Sequence, residues 1–246
     1  MKKNHSLISL FTLVIFISSA CKKTSSTPSE KLTDYLQLKA GSTITYRLDS
    51  INYISPGTVE TITSYLVKDV VDTLTTDNLG RASWRVFRYI TDTAQSQPWT
   101  NLETYFITPA ESSVEFIENN LRYIRLTAPL EAKFSWQGNS LINTYTPDYN
   151  YLSSWNYTYE SIGSSYNVIA GNIPGALVIQ QTNSFVGDTT DTSIFSEKIY
   201  SGEVYAKGIG LIYKDFLYWQ YQPQFNDINP GYRTGYGIRL NMISHN

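Results

Sequence analysis

Residues 43–48 alternate strictly, with Ile44, Tyr46 and Leu48 on one side and Thr43, Thr45 and Arg47 on the other. A period of two is the mark of a strand with one buried face. No other feature limits the fold as much, because the pattern returns along the chain with turn residues between its copies. Ser55-Pro56-Gly57 makes the first turn, and a run rich in Val, Ile, Thr and Tyr over 58–74 ends at Asp77-Asn78-Leu79-Gly80. Residues 81–91 return with Trp84, Val86, Arg88 and Ile90 opposite Arg85, Phe87 and Tyr89. Both faces are bulky there, so one lies in the core and the other is partly covered. Residues 99–108 form a further strand closed by Pro109, and 114–117 meets 121–127 across Glu118-Asn119-Asn120. Asparagine tolerates the positive φ that a tight hairpin needs.

The second half is less regular. Residues 129–139 read as a loop that enters a short strand and leaves through a Gly138-Asn139 turn. Strands are expected over 155–162, 166–169 and 176–185, separated by Gly163 and by the stretch 171–175, with 187–192 as a polar hairpin tip. Another follows over 194–200. Residues 204–215 read as one apolar strand in which Gly208 and Gly210 mark a bulge, and 237–243 is the closing strand. Helical periodicity is nearly absent; its best candidate is the short segment 149–155. The expectation is an all-β fold, an antiparallel meander that closes into a barrel or a strongly curved sheet rather than a sandwich, with little helix.

The front of the chain reads differently. Met1-Lys2-Lys3 precedes the run 7–17, in which nine of 11 residues are apolar. A spanning helix needs roughly 17–25 such residues, so the run fits the apolar part of a signal peptide instead. Ser18-Ser19-Ala20 then leads into Cys21, the single cysteine of the chain. This resembles the lipobox of bacterial lipoproteins, cleaved before a cysteine whose sulfur carries diacylglycerol, although Ser18 stands where leucine is usual. A lone free thiol would be odd in an exported protein, and acylation removes the oddity. Two or three acyl chains hold a protein on a membrane where one binds reversibly. The division expected is a signal peptide over 1–20, a lipidated Cys21 with a flexible polar tether to 34, and one β-rich domain over 35–246.

Removal of Lys2 and Lys3 leaves 17 basic against 21 acidic side chains, which is no footprint for nucleic acid. Past residue 20 there is one histidine, His245, beside the C-terminus. A Ser-His-Asp or Cys-His device needs an imidazole held by a third group, and a zinc hydrolase normally needs two or three histidines. No catalytic residue, metal ligand set or cofactor motif is therefore assigned. Carboxylate pairs such as Glu115 with Glu118 or Glu197 with Glu203 are read as solvated strand edges, and Asp188 with Asp191 as a polar turn without calcium-loop spacing.

Three stretches carry a family resemblance: the opening Tyr35-Leu36-Gln37-Leu38-Lys39-Ala40-Gly41-Ser42-Thr43-Ile44-Thr45-Tyr46, then Trp136-Gln137-Gly138-Asn139, then Val204-Tyr205-Ala206-Lys207-Gly208-Ile209-Gly210-Leu211-Ile212-Tyr213. Together they resemble uncharacterised β-rich envelope lipoproteins of Bacteroidota. Gln37, Ser42 and Ile44 depart from that pattern. The resemblance implies a lipid-anchored protein of the cell envelope, at the outer membrane, with a β fold and no established activity. The function expected is non-catalytic binding or assembly, with membrane contact through the lipid and a glycan, lipid or protein as ligand. A carboxylate-based hydrolase of glycans is the alternative. The chain has 20 tyrosines, and Tyr145, Tyr149, Tyr151 and Trp155 are the candidate binding residues, on a loop and strand end where contact residues concentrate.

Overall fold

The computed structural model describes residues 30–54, 57–224 and 231–246. The expected signal peptide, Cys21 and most of the tether lie outside the described residues. Twelve strands are described: β1 (Thr43–Ile54), β2 (Val59–Thr76), β3 (Ala82–Asp92), β4 (Thr100–Pro109), β5 (Ser113–Glu118) and β6 (Leu121–Thr127) in the first half, and β7 (Ser135–Trp136), β8 (Tyr157–Val168), β9 (Gly171–Val186), β10 (Ser196–Ala206), β11 (Gly210–Gln222) and β12 (Tyr232–His245) in the second. They form one sheet in the order β6-β5-β4-β3-β2-β1-β12-β11-β10-β9-β8-β7. Each half is an antiparallel meander, and the first and last strands join them, with Leu48 opposite Leu240.

The two edges of this sheet, β6 and β7, curl round to meet. The Ile124 N–H donates to the Gly138 carbonyl at 2.7 Å, and Trp136 Nε1 donates to the Ile124 carbonyl at 2.8 Å. The Tyr159 hydroxyl accepts the Thr127 N–H at 2.8 Å and donates to its carbonyl at 2.6 Å. These bonds replace a full strand ladder, so the meander is a nearly closed barrel. Buried side chains fill it: Phe116 of β5 meets Tyr205 of β10 across the interior with ring centroids 6.3 Å apart.

Strand direction sorts the connections onto two ends. Residue 42, the turns at 77–81 and 207–209 and the C-terminus share the proximal end; the turns at 93–99, 119–120 and 187–195 and the long loop 137–156 share the distal end. The proximal end is closed by residues placed in the tether from sequence. A 3-10 turn over Leu32–Tyr35 is tied to the β10–β11 turn, where the Gly208 N–H donates to the Asp34 carbonyl at 2.7 Å. Glu30 accepts from the Tyr35 hydroxyl at 2.8 Å and pairs with Lys207, while Leu32 packs on the core. The folded body therefore takes in residues 30–34 as well.

The structure differs from the sequence expectation locally in three places. Residues 204–215 are two strands, because Gly208, at φ 70°, is the hairpin turn and not a bulge. Gly163, at φ 78°, does not end a strand but sits in β8 at a register shift, and the bulged ends of β8 and β9 fold over the outer face, where Ala170 N–H donates to the Met242 carbonyl at 3.0 Å. Segment 149–155 contributes only one 3-10 turn, Asn150–Leu152. Asn119 and Asn120, at φ 51° and 63°, form the β5–β6 hairpin as their side chains predict.

No helix among the described residues is long and apolar enough to cross a membrane. On the barrel's outer face Asp49 and Asp215 both align with Arg239, and Arg47 pairs with Asp49 at 3.1 Å. A lipid-facing barrel needs an apolar band about 25 Å tall at that level. Those mid-strand charges suit water.

Candidate functional site

Charge also enters the interior. Glu203 and Tyr205 alternate with Val204 and Ala206 on β10, and the even-numbered residues of β11 from Lys214 to Tyr218 share their face with Tyr236, Ile238 and Leu240 of β12. Glu118 follows Phe116 on the inner face of β5, and a register shift in β6 turns Arg125 inward beside buried Leu126. Strand curvature brings these residues, far apart in sequence, onto one centre. Arg125 donates through Nη1 to Glu203 and through Nη2 to Glu118 at 2.6 Å, and Lys214 Nζ lies 3.3 Å from the Glu203 carboxylate. The second oxygen of Glu203 accepts from the Tyr205 hydroxyl at 2.9 Å. Arg125 and Glu203 are 4% and 2% exposed, and each finds its polar partners inside the barrel.

Burial pushes the Glu118 carboxyl up, and the charges of Arg125, Lys214 and Arg88 override it and hold the group at about 2. It is ionised at neutral pH. A general acid needs the reverse, a carboxyl kept protonated.

Above this cluster, toward the distal end, lies a cavity of about 170 Å³. Arg125, Lys214 and Glu118 contribute its charged lining, and Tyr151, Trp155 and Gln181 its aromatic and amide lining. Asn119, in the β5–β6 turn, also borders it. Loop 137–156 is held over the barrel by Asn139, whose Nδ2 donates to the Leu152 carbonyl at 3.0 Å and whose Oδ1 accepts from the Tyr157 hydroxyl at 2.9 Å. Gly138 permits this, because a Cβ there would meet the Tyr157 ring at 2.5 Å. Three residues of the lining each carry a buried donor without a hydrogen-bond partner among the described residues: Arg125 Nε, Trp155 Nε1 and Gln181 Nε2, which lie just beneath the cavity surface.

The four sequence candidates separate at this cavity. Tyr151 and Trp155 line it, and Tyr151 stacks on Tyr218 at 6.1 Å. Tyr149 is half-buried against the core and Tyr145, at 99% exposure, stands clear in solvent. The loop folds onto the barrel, so Tyr145 is exposed while Tyr149 and Tyr151 are half-buried. Trp155, Tyr157 and Tyr159 share the interior as a buried ridge.

The acidic pairs are corrected too. Glu115 is buried under Arg81 and Arg122, and Glu118 and Glu203 belong to the interior cluster, so none of the three is a solvated edge. Glu197 accepts from Gln220 Nε2 at 2.7 Å. Asp188 and Asp191 each hold their own turn, accepting from Thr190 and Ser193. Among the described residues no three His, Cys, Asp or Glu side chains come together as a metal site. A second buried cluster, Arg88 with Asp69 at 2.7 Å and Glu103 at 2.6 Å, receives the Tyr105 hydroxyl on Asp69 at 3.0 Å. It borders only a void of about 40 Å³ near the proximal end.

No protein-family model matches the chain, and no curated protein matches it. Among solved structures it is similar to a Bacteroides fragilis protein inferred to be exported and described as having a YmcC-like fold. The identity is 12% and the TM-score 0.34, with 85% of this chain and 96% of the other covered.

Proposed function

We propose that the chain is an exported envelope protein, fixed to the outer membrane through a lipidated Cys21, that binds its ligand without chemistry at the distal mouth of the barrel. Tyr151 and Trp155 form the contact surface; Tyr145 and Tyr149 belong to the same loop and do not line the cavity. One observation carries this reading: the cavity is aromatic and roomy, yet its ionised groups are already paired with one another. Glu118 and Glu203 do face each other across an aromatic interior, as a glycan hydrolase would require. Arg125 sits between them, one carboxylate is fully occupied and the other is held ionised, so neither is free to deliver a proton.

Two measurements test it. Cys21→Ser should abolish acyl labelling and move the protein out of the membrane fraction; unchanged labelling removes the anchor. Full-length lipidated protein purified from its own membrane should carry an associated molecule that is lost in Tyr151→Ala at an unchanged melting temperature. Equal recovery from both proteins would remove Tyr151 from the site.

A further inference from the structure

We propose that the distal cavity receives a single neutral polyhydroxylated ring, of the size and chemistry of one hexose unit. This rests on the binding reading above and names the ligand class.

Size comes first. A closed apolar cavity of roughly 150 Å³ admits benzene, and this one, at about 170 Å³ and open beside Asn119, takes one six-membered ring whose substituents reach out through the mouth. Aromatic side chains at its wall, Tyr151, Trp155 and Phe216, give such a ring apolar surface to lie against.

Hydrogen bonding narrows the chemistry. Arg125 Nε, Trp155 Nε1 and Gln181 Nε2 are donors only, each nine-tenths or more buried and without a partner among the described residues. Gln181 spends its acceptor on the Ser201 hydroxyl at 2.6 Å, so its amide nitrogen is what remains to offer. An apolar ligand would leave all three unmet, at a cost of about 1–3 kcal/mol for each buried group. Glu118, in contrast, gives Arg125 one oxygen and keeps acceptor capacity on the other. A hydroxyl group accepts from the first kind of site and donates to the second; a carboxylate can only accept and an ammonium can only donate.

Charge decides between neutral and ionic rings. Arg125 and Lys214 are already balanced by Glu118 and Glu203. A third carboxylate, or a third cation, would enter a largely buried site with no counter-charge, which is costly.

The test uses full-length protein labelled with 15N at tryptophan indoles, with the Nε1–H signal of Trp155 assigned by its loss in Trp155→Phe. The probes are a neutral hexose, its N-acetylated amine derivative, the corresponding hexuronic acid and the cationic hexosamine. Either neutral ring should shift the Trp155 signal with a dissociation constant on the order of millimolar, as expected for so few atoms. Gln181→Met should weaken it by about tenfold, the loss of one hydrogen bond; Tyr151→Ala, at the mouth, should weaken it as well. Binding of the charged rings in preference to the neutral ones overturns the ligand class and leaves the binding site standing. No movement of the Trp155 signal with any of the four overturns the ligand class, and the binding reading falls with it only if Tyr151→Ala also leaves the molecule recovered from the membrane unchanged.

Discussion

Replacing Arg125 by methionine keeps most of the side-chain volume and removes the one group that joins β6 to β10 through charge. Two carboxylates lose their donor: Glu203, 2% exposed, keeps Lys214 at 3.3 Å and the Tyr205 hydroxyl at 2.9 Å, whereas Glu118, 17% exposed in its side chain, can turn toward water. Breaking a buried pair from one side costs about 3–5 kcal/mol. The remaining partners of Glu203 place this case near the lower bound, and loss of the contact between the guanidinium and the Tyr123 ring, at 4.5 Å, adds roughly 1 kcal/mol. The sum is about 4 kcal/mol. With a urea m-value of roughly 2–3 kcal/mol/M for a domain of this size, the midpoint should fall by about 1–2 M at constant m. Tryptophan fluorescence of full-length protein in a urea titration reads it. The double variant Arg125→Met with Glu203→Gln should be less destabilised than the two single losses added together, because the stranded carboxylate is gone. Lys133→Ala, which breaks a pair 68% and 35% exposed, should cost at most about 1 kcal/mol. A midpoint shift for Arg125→Met no larger than that for Lys133→Ala, or strict additivity in the double variant, would refute the argument.

The Glu118 carboxyl has a folded value near 2 against an ordinary 4.5, so its stabilisation is complete above about pH 4.5 and is lost as the pH falls toward 2. Acid titration of stability should show a loss of about 3 kcal/mol from this group across that window, absent in Glu118→Gln. Gly138→Ala should destabilise by about 1–3 kcal/mol, since its Cβ would press on the Tyr157 ring at 2.5 Å and that ring is wholly buried; an unchanged melting temperature would contradict it. Chelator should leave melting unchanged, because Asp188 and Asp191 satisfy their own turns, and a drop on adding EDTA would restore them as ligands.

Alternation and turn chemistry made the fold readable where each acts locally. Ile44, Tyr46 and Leu48 do face inward and Asn119-Asn120 does take positive φ, whereas the last strand, expected to close the sheet, lies at its centre beside β1 and leaves closure to β6 and β7. Gly208 misled because Lys207 is the only strongly polar residue in the turn around it, so an apolar run that reverses looks like one that continues. The site was less legible, since its charged members come from β5, β6, β10 and β11 and meet only when the barrel curls. A signal was nonetheless present. Period two puts Glu203 on the face of Tyr205 and Glu118 on the face of Phe116, and Arg125 lies between Ile124 and Leu126. A charge on an apolar face is one that must be paired in the interior. The stretch Trp136-Gln137-Gly138-Asn139, noted only as a resemblance, acts as the latch of the barrel seam and of the loop above the cavity.

The direction of the site follows from the same topology. Residue 30 enters at the proximal end, and the cavity opens at the other, past strands such as β1 of 12 residues. At about 3.4 Å per residue along strands tilted by roughly 40° in a barrel, the mouth stands roughly 30 Å beyond the point where the chain joins the barrel. On the proposal that Cys21 carries the lipid, the mouth then faces away from the anchoring membrane. It would meet soluble or opposing-surface ligands and not the lipids that hold the protein. A fluorophore on Tyr145→Cys, in lipidated protein reconstituted into vesicles with brominated acyl chains, should therefore escape quenching, since that position is fully exposed on the distal loop. The same fluorophore on Lys207→Cys, in the proximal turn that pairs with Glu30, should be quenched more. Stronger quenching at residue 145 than at 207 would mean that the barrel lies mouth-down on the bilayer, and would turn the search for its ligand toward lipid headgroups.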